Sequence, residues 1–213
     1  MKVTLQQVLP NEIEKRSFQI IEEEMGQLQL DPEVAPIVKR VIHTTADFDY
    51  LRTLTFSPGA VAKGIAALRE GATILTDTQM ARSGINKAAL AKVGGEALCF
   101  MSDPDVAQAA KEKGTTRATA CMDKAAALGG NLIIAVGNAP TALVRLHQLM
   151  EEGKIAPRLI IGVPVGFVNV VESKELILSS SVPFIVARGR KGGSNVAASI
   201  CNALLYLATG RTL

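Results

Sequence analysis

His43 is one of only two histidines in the chain, and imidazole is the side chain best suited to exchanging a proton near neutral pH. A pocket lined by it would suit general acid/base chemistry. It lies in the run IVKRVIHTTADFDYLRTLTFS, Ile37 to Ser57. Just before it, Val34, Ile37, Val38, Val41 and Ile42 fall at the i, i+3, i+4, i+7, i+8 spacing of an amphipathic helix, which puts His43 near the helix C-terminus. There the negative end of the helix dipole favours the imidazolium, while Lys39 and Arg40 oppose it, and the sequence leaves the net sign open. A histidine that caps the helix end through hydrogen bonds satisfies the same pattern.

A second chemistry-bearing stretch is RGRKGGSN, from Arg188 to Asn195. Arg188, Arg190 and Lys191 are followed by Gly192, Gly193 and Ser194, which reads as the N-cap of the closing helix. Cations, backbone N–H groups and a helix N-terminus together form a cradle for negative charge. The loop matches neither the dinucleotide fingerprint GxGxxG nor the P-loop GxxxxGK[ST], so both familiar phosphate readings fail on spacing, and carboxylates fit equally well. Asp47 and Asp49 lack a further partner at metal-ligand spacing and read as solvated or helix-capping carboxylates, so no metal site is expected. His147 reads as a packing or surface histidine.

The elements that must position these groups follow from the apolar rhythm. Asn11 with Glu14 reads as an N-cap and capping-box partner opening a helix that runs to Gly26. Pro32 and Pro36 bracket the start of the His43 helix, and Ser57-Pro58 read as the N-cap and first residue of another that ends at Gly71. From there, apolar runs at Ala72 to Thr76, Ala97 to Met101, Leu132 to Val136, Leu159 to Val163 and Val182 to Ala187 each precede a turn signal and a helical pattern. This predicts an α/β fold: a doubly wound, mainly parallel five-stranded sheet with helices on both faces and an N-terminal helical segment. In such sheets ligands collect beyond the carboxyl ends of the strands. The segments that fall there are Asp77 to Met80, Ser102 to Pro104, Gly137 to Thr141, Pro164 to Phe167 and Arg188 to Asn195.

With 213 residues, 48% of them hydrophobic, the chain is long enough for one substantial core, and a single domain over 1–213 is expected. Lys and Arg number 23 against 20 Asp and Glu, an excess that suits an anionic small molecule better than nucleic acid. Trp is absent and aromatics make up 4%, which argues against stacking platforms for single strands. The N-terminus lacks an apolar signal region and no stretch has the length of a membrane span, so a cytoplasmic protein is expected. Cys99, Cys121 and Cys201 are odd in number and far apart, and are expected as reduced core residues.

The blocks RVIHTTADFDYL, TDTQMARSGINK, GNAPTALVRL, GVPVGFVNVVESKE and RGRKGGSNVAASICNALLY, in this order, resemble the signature blocks of the precorrin-8X methylmutase family, over nearly the whole chain. The resemblance implies an isomerase that moves a methyl group from C-11 to C-12 of a precorrin macrocycle, with no external methyl donor and no cofactor. The macrocycle is ringed by acetates and propionates, which suits a basic cradle. By the same resemblance His43 matches the catalytic histidine, and Ser17, Arg40 and Arg117 match substrate-contacting positions. Lys87, Asn138, Thr141, Arg188, Lys191 and Ser194 are further candidates, being able to donate hydrogen bonds to substrate carboxylates. The family works as homodimers, and HTTADFD with SGINK is closer to its cobalt-precorrin-8 branch. Asn169-Val170-Val171 stands where the family commonly has Gly-Ala-Ala, a departure that would narrow the pocket or merely adjust a helix start. The rival readings are a non-catalytic tetrapyrrole carrier, which would need the basic rim but not His43, and a nucleotide- or phosphate-binding α/β enzyme.

Overall fold

The computed structural model describes residues 5–211. Two helices, α1 (Ile13–Met25) and α2 (Ala35–Thr45), form the N-terminal segment, and the single turn α3 (Tyr50–Thr53) leads into a short strand, β1 (Leu54–Phe56). Then α4 (Ala60–Arg69) feeds β2 (Thr73–Thr76), which is followed by α5 (Gln79–Gly84), α6 (Lys87–Lys92) and β3 (Glu96–Leu98). Helices α7 (Pro104–Glu112) and α8 (Arg117–Leu128) precede β4 (Leu132–Val136), and α9 (Pro140–Glu151) links β4 to β5 (Leu159–Gly162). The chain closes with α10 (Val170–Leu178), β6 (Phe184–Ala187) and α11 (Ser194–Ala208).

The sheet has six strands in the order β1-β6-β5-β4-β2-β3, not five. The five expected strands run parallel, and the added one, β1, lies antiparallel on β6 with Leu54 opposite Ala187. Three residues directly after a helical turn give no period-2 signal of their own, and it is the edge of β6 that makes a strand of them. Strand β3 is also shorter than expected, because the chain turns into a 3-10 helix at Phe100–Ser102.

Strands β4, β5 and β6 are buried along their whole lengths. Along β4, Ile133 and Ala135 join the core formed with α2, α4 and α11, whereas Leu132, Ile134 and Val136 join the core formed with α7, α8, α9 and α10. The alternation is the strand's own two-residue period, and it gives helices a footing on both faces. Helix α11 is the hub of the first core: Val196, Ile200, Leu204 and Leu205 are fully buried against the sheet and α2. Truncating Leu204 to alanine would cost about 2–5 kcal/mol. Cys99, Cys121 and Cys201 are all buried and free.

The helix starts expected at Asn11 and Ser57 move. Asn11 is exposed outside α1, whose cap position is Glu12, and Glu14 spends its carboxylate on Arg40 and Arg211 instead of a capping box. Ser57 does not cap α4, which begins after Gly59. Its hydroxyl accepts the N–H of Phe184 at 2.9 Å, because the serine extends the edge of the β1–β6 pair.

Candidate functional site

From β2 the chain steps to one side to form β3 and then to the other to form β4, β5 and β6. In open parallel sheets such a reversal is where ligands collect. Here Asp77, the residue after β2, stands between the carboxyl ends of β2 and β4 with 1% of its surface exposed. One carboxylate oxygen accepts the N–H of Gly137 at 2.8 Å, and the other accepts those of Asn138 at 2.8 Å and Ala139 at 2.7 Å. Burial pushes its carboxyl up from the ordinary value, while the three amide donors pull it back. A Cβ on Gly137 would lie 2.7 Å from the Cα of Ser194, so only glycine lets the loop after β4 sit against the start of α11. Thr78 caps α5 through Ala81 N and shares a 2.8 Å hydrogen bond with the Ser194 hydroxyl. Ser194 is therefore the first helical residue and not the cap: Gly193 holds that position, and the serine hydroxyl is committed to Thr78.

The loop from Arg188 to Gly193 is held from beneath. Lys174 on α10 is fully buried, and its ammonium donates to Gly189 O at 2.7 Å and Lys191 O at 2.9 Å. Burial brings its pKa down to about 8. A Cβ on Gly192 would lie 2.1 Å from Val163 O, so this position admits no side chain. Arg188 is exposed and anchored through its own N–H to Thr53 O at 2.8 Å. Lys191 reaches across to Asp47 and Asp49, 2.6 Å from an oxygen of each, and their carboxylates raise its pKa. Those two aspartates thus do more than meet solvent or cap a turn. They tie the cationic loop to the chain just past His43.

His43 occupies the last turn of α2, exposed on one side and stacked on Phe18 at 5.1 Å with 19° between the rings. Its pKa lies below the ordinary value, chiefly through partial burial and then through the positive charge of Arg40, with Glu14 acting weakly the other way. Arg40 itself is buried, its guanidinium 4.8 Å from the Phe18 ring and 5.2 Å from that of Tyr206, with one nitrogen donating to Glu14. Among the described residues its Nε and Nη2 meet no acceptor. Ser17 lies on α1 beside Phe18, its hydroxyl bonded back to Ile13 O at 2.9 Å.

The expected site residues thus fall into groups. Ser17, Arg40 and His43 share the α1–α2 layer. Asn138, Arg188, Lys191 and Ser194 share the strand ends, and Asn138 is exposed there. Arg117 opens α8, and its neighbour Thr116 meets the Thr141 hydroxyl at 2.9 Å, which brings Arg117 and Thr141 together beside the β4 loop. Lys87 stands apart. It opens α6 after Asn86, which is bonded to Asn202 and Tyr206 of α11, about 12–18 Å along that helix from Ser194. A groove of about 370 Å³ between α1 and α2 is lined by Lys15, Phe18, Gln19, Glu22, Pro36 and Lys39, and its Phe18 is the ring on which His43 stacks. His147 is half-buried, 3.7 Å from Glu151.

Asp77 and Lys174 were not among the expected site residues. Lys174 had a signal: Val170, Lys174 and Ile177 share the spacing of a buried stripe, an unusual place for a lysine. Asn169 adopts a left-handed backbone with φ 56° at the start of α10, a conformation that asparagine tolerates almost as glycine does. With Asn169 exposed and Val170 buried, the Asn-Val-Val departure adjusts a helix start.

The family model for precorrin-8X methylmutase matches residues 12–207. A cobalt-precorrin-8 methylmutase of Priestia megaterium is 47% identical over 201 residues, covering 94% of this chain and 89% of the relative. Another, of Salmonella typhimurium, is 49% identical over 205 residues, covering 92% and 95%. The crystal structure of a precorrin-8X methylmutase from Thermus thermophilus superposes with a TM-score of 0.85 at 40% identity, covering 95% of this chain and all of the other. No helix among the described residues is long and apolar enough to cross a membrane.

Proposed function

Since the chain belongs to the precorrin-8X methylmutase family, isomerases of cobalamin biosynthesis that catalyse a methyl migration, we propose that it moves the methyl group from C-11 to C-12 of cobalt-precorrin-8, with His43 as the acid. In this reading the imidazolium hands a proton to the conjugated macrocycle beside the migrating centre, the C-11–methyl bond breaks as the C-12–methyl bond forms, and the imidazole takes the proton back. No atom is gained or lost, so no external donor enters. Arg188, Lys191, Asn138, Thr141 and Arg117 supply donors for the acetate and propionate rim. Arg40, beneath His43, sharpens the acid by its charge.

The observation that carries the reading is the environment of His43. An imidazole with a lowered pKa gives up its proton more readily, and this one stands at the solvent-facing end of α2 while the next turn of chain is tied by Asp47 and Asp49 to the cationic loop. Acid and cradle are thereby held to one another. Cobalt-precorrin-8, rather than its metal-free counterpart, is favoured by the names of both relatives and by the HTTADFD and SGINK blocks. The same reading places the protein in the cytoplasm as a homodimer.

General acid catalysis is worth about 10² to 10⁴ in rate. His43→Ala should therefore lose that much turnover of cobalt-precorrin-8 while keeping the melting temperature of the parent. A visible-absorption titration with hydrogenobyrinic acid, the metal-free product, comes first. A spectral change on binding, altered in the variant, ties His43 to the macrocycle. Turnover by the variant within threefold of the parent would remove His43 from the role.

A further inference from the structure

The loop after β6 has a hydrogen-bond polarity that its own sequence does not explain. Of its carbonyls, Gly189 O and Lys191 O accept the buried ammonium of Lys174, and Arg190 O accepts the N–H of Gly166 at 3.1 Å. Three consecutive acceptors are thus occupied by the protein. In a planar trans peptide the N–H points opposite the C=O, so drawing the carbonyls of Gly189 and Lys191 down towards α10 turns the N–H groups of Arg190 and Gly192 the other way. Among the described residues neither of these two N–H groups has an acceptor. The loop therefore offers donors outward and hides its acceptors. Arg188 and Arg190 stand exposed on it, and Gly192 is too crowded against Val163 O to carry a side chain that would cover the amides.

The group that fixes this polarity is costly to bury and is matched by no carboxylate among the described residues; its only partners are the two carbonyls. We propose that Lys174 is a positioning residue for substrate recognition, binding the loop's carbonyls from below so that its N–H groups meet the carboxylates of the macrocycle. The proposal rests on the reading of this loop as a contact for the substrate's acidic rim. Lys174 never touches the substrate. It sets the direction of the peptide units that do, and its positive charge lies beneath the bound anion. With a pKa brought down only to about 8, it remains mostly charged at neutral pH.

The test compares the parent protein with Lys174→Met, which keeps the length and apolar stem and removes the donor, and with Lys174→Gln, which restores a single donor. In titrations with hydrogenobyrinic acid, Lys174→Met should raise Kd at least tenfold and Lys174→Gln should recover part of the loss. In turnover the Met variant should raise KM by the same factor and lower kcat less than threefold, because His43 is untouched. A lower melting temperature with unchanged Kd would make Lys174 a packing residue and overturn the proposal. If the Met variant does not fold, the parent decides the matter by amide exchange: the N–H groups of Arg190 and Gly192 should exchange fast alone and become protected when hydrogenobyrinic acid is added. Binding without that protection overturns the proposal on its own. No binding by the parent removes the reading beneath it, and the proposal with it.

Discussion

The α1–α2 layer and the strand ends handle charge in opposite ways. In the layer, charges answer charges: Glu14 serves both Arg40 and Arg211, and Arg40 is further flanked by the rings of Phe18 and Tyr206. At the strand ends two buried ionisable groups have no ionic partner among the described residues, Asp77 gathering three backbone N–H groups and Lys174 two backbone carbonyls. The first arrangement tunes the proton affinity of a neighbour, because it alters the local potential around His43. The second fixes shape, because its hydrogen bonds end on the main chain of the loops after β4 and β6. The division matches what each region must do: His43 must change protonation state, whereas the loops must hold still.

The contrast breaks most visibly at Asp77. Asp77→Ala leaves three N–H groups without their acceptor, at about 1–3 kcal/mol for each that stays dry. The expected loss is about 3 kcal/mol, seen as a fall in melting temperature of about 6–12 °C. A drop under 2 °C would mean that water replaces the carboxylate and that the loop after β4 needs no internal strut.

Glu14→Gln should act on the proton while leaving Arg40 an acceptor in place. Glu14 raises the pKa of His43, so its neutralisation lowers that pKa further from its already depressed position. Turnover that requires the imidazolium falls as pH rises through this pKa, so the falling limb of kcat/KM against pH should move to lower pH in the variant. A limb that stays in place would show that the titration belongs to another group.

The smallest effect on stability belongs to Lys191. Its pairs with Asp47 and Asp49 are solvent-exposed, and such pairs add little. Lys191→Met should leave the melting temperature unchanged, yet weaken the binding of hydrogenobyrinic acid and make it less sensitive to salt, by removing one cation from the rim. A clear loss of melting temperature would instead make this bridge a structural clasp between the two regions.

The five parallel strands were legible because each lies in a short, mainly apolar run before a turn signal, and the His43 helix because its apolar spacing is regular. Helix α11 was legible too, although its exact start was not: Ser194 has the residue type of a cap, and only the folded chain gives its hydroxyl to Thr78. Strand β1 could not be read, since Leu54–Phe56 becomes a strand by lying on β6. The roles of Asp77 and Lys174 were hidden for a related reason. A carboxylate that serves amides sixty positions later, and a lysine that serves carbonyls fifteen positions on, carry no local pattern. Lys87 shows the converse, a residue in a matching block that follows Asn86, whose amide is bonded to Tyr206, away from the strand ends.

Strand β1 also bears on the order of assembly. Leu54 pairs with Ala187, a separation of roughly 130 residues, the kind of contact whose loop-closure cost delays it. Helix α2 lays Ile37, Val41 and Ile42 in the core formed with α11, the last helix of the chain. During synthesis the segment that carries His43 therefore meets α1 first, but the face that packs on α11 has no partner until that helix is made. Until then its apolar face stays open to solvent, and any shortened chain lacking α11 would keep it open for good, a target for chaperones and proteases.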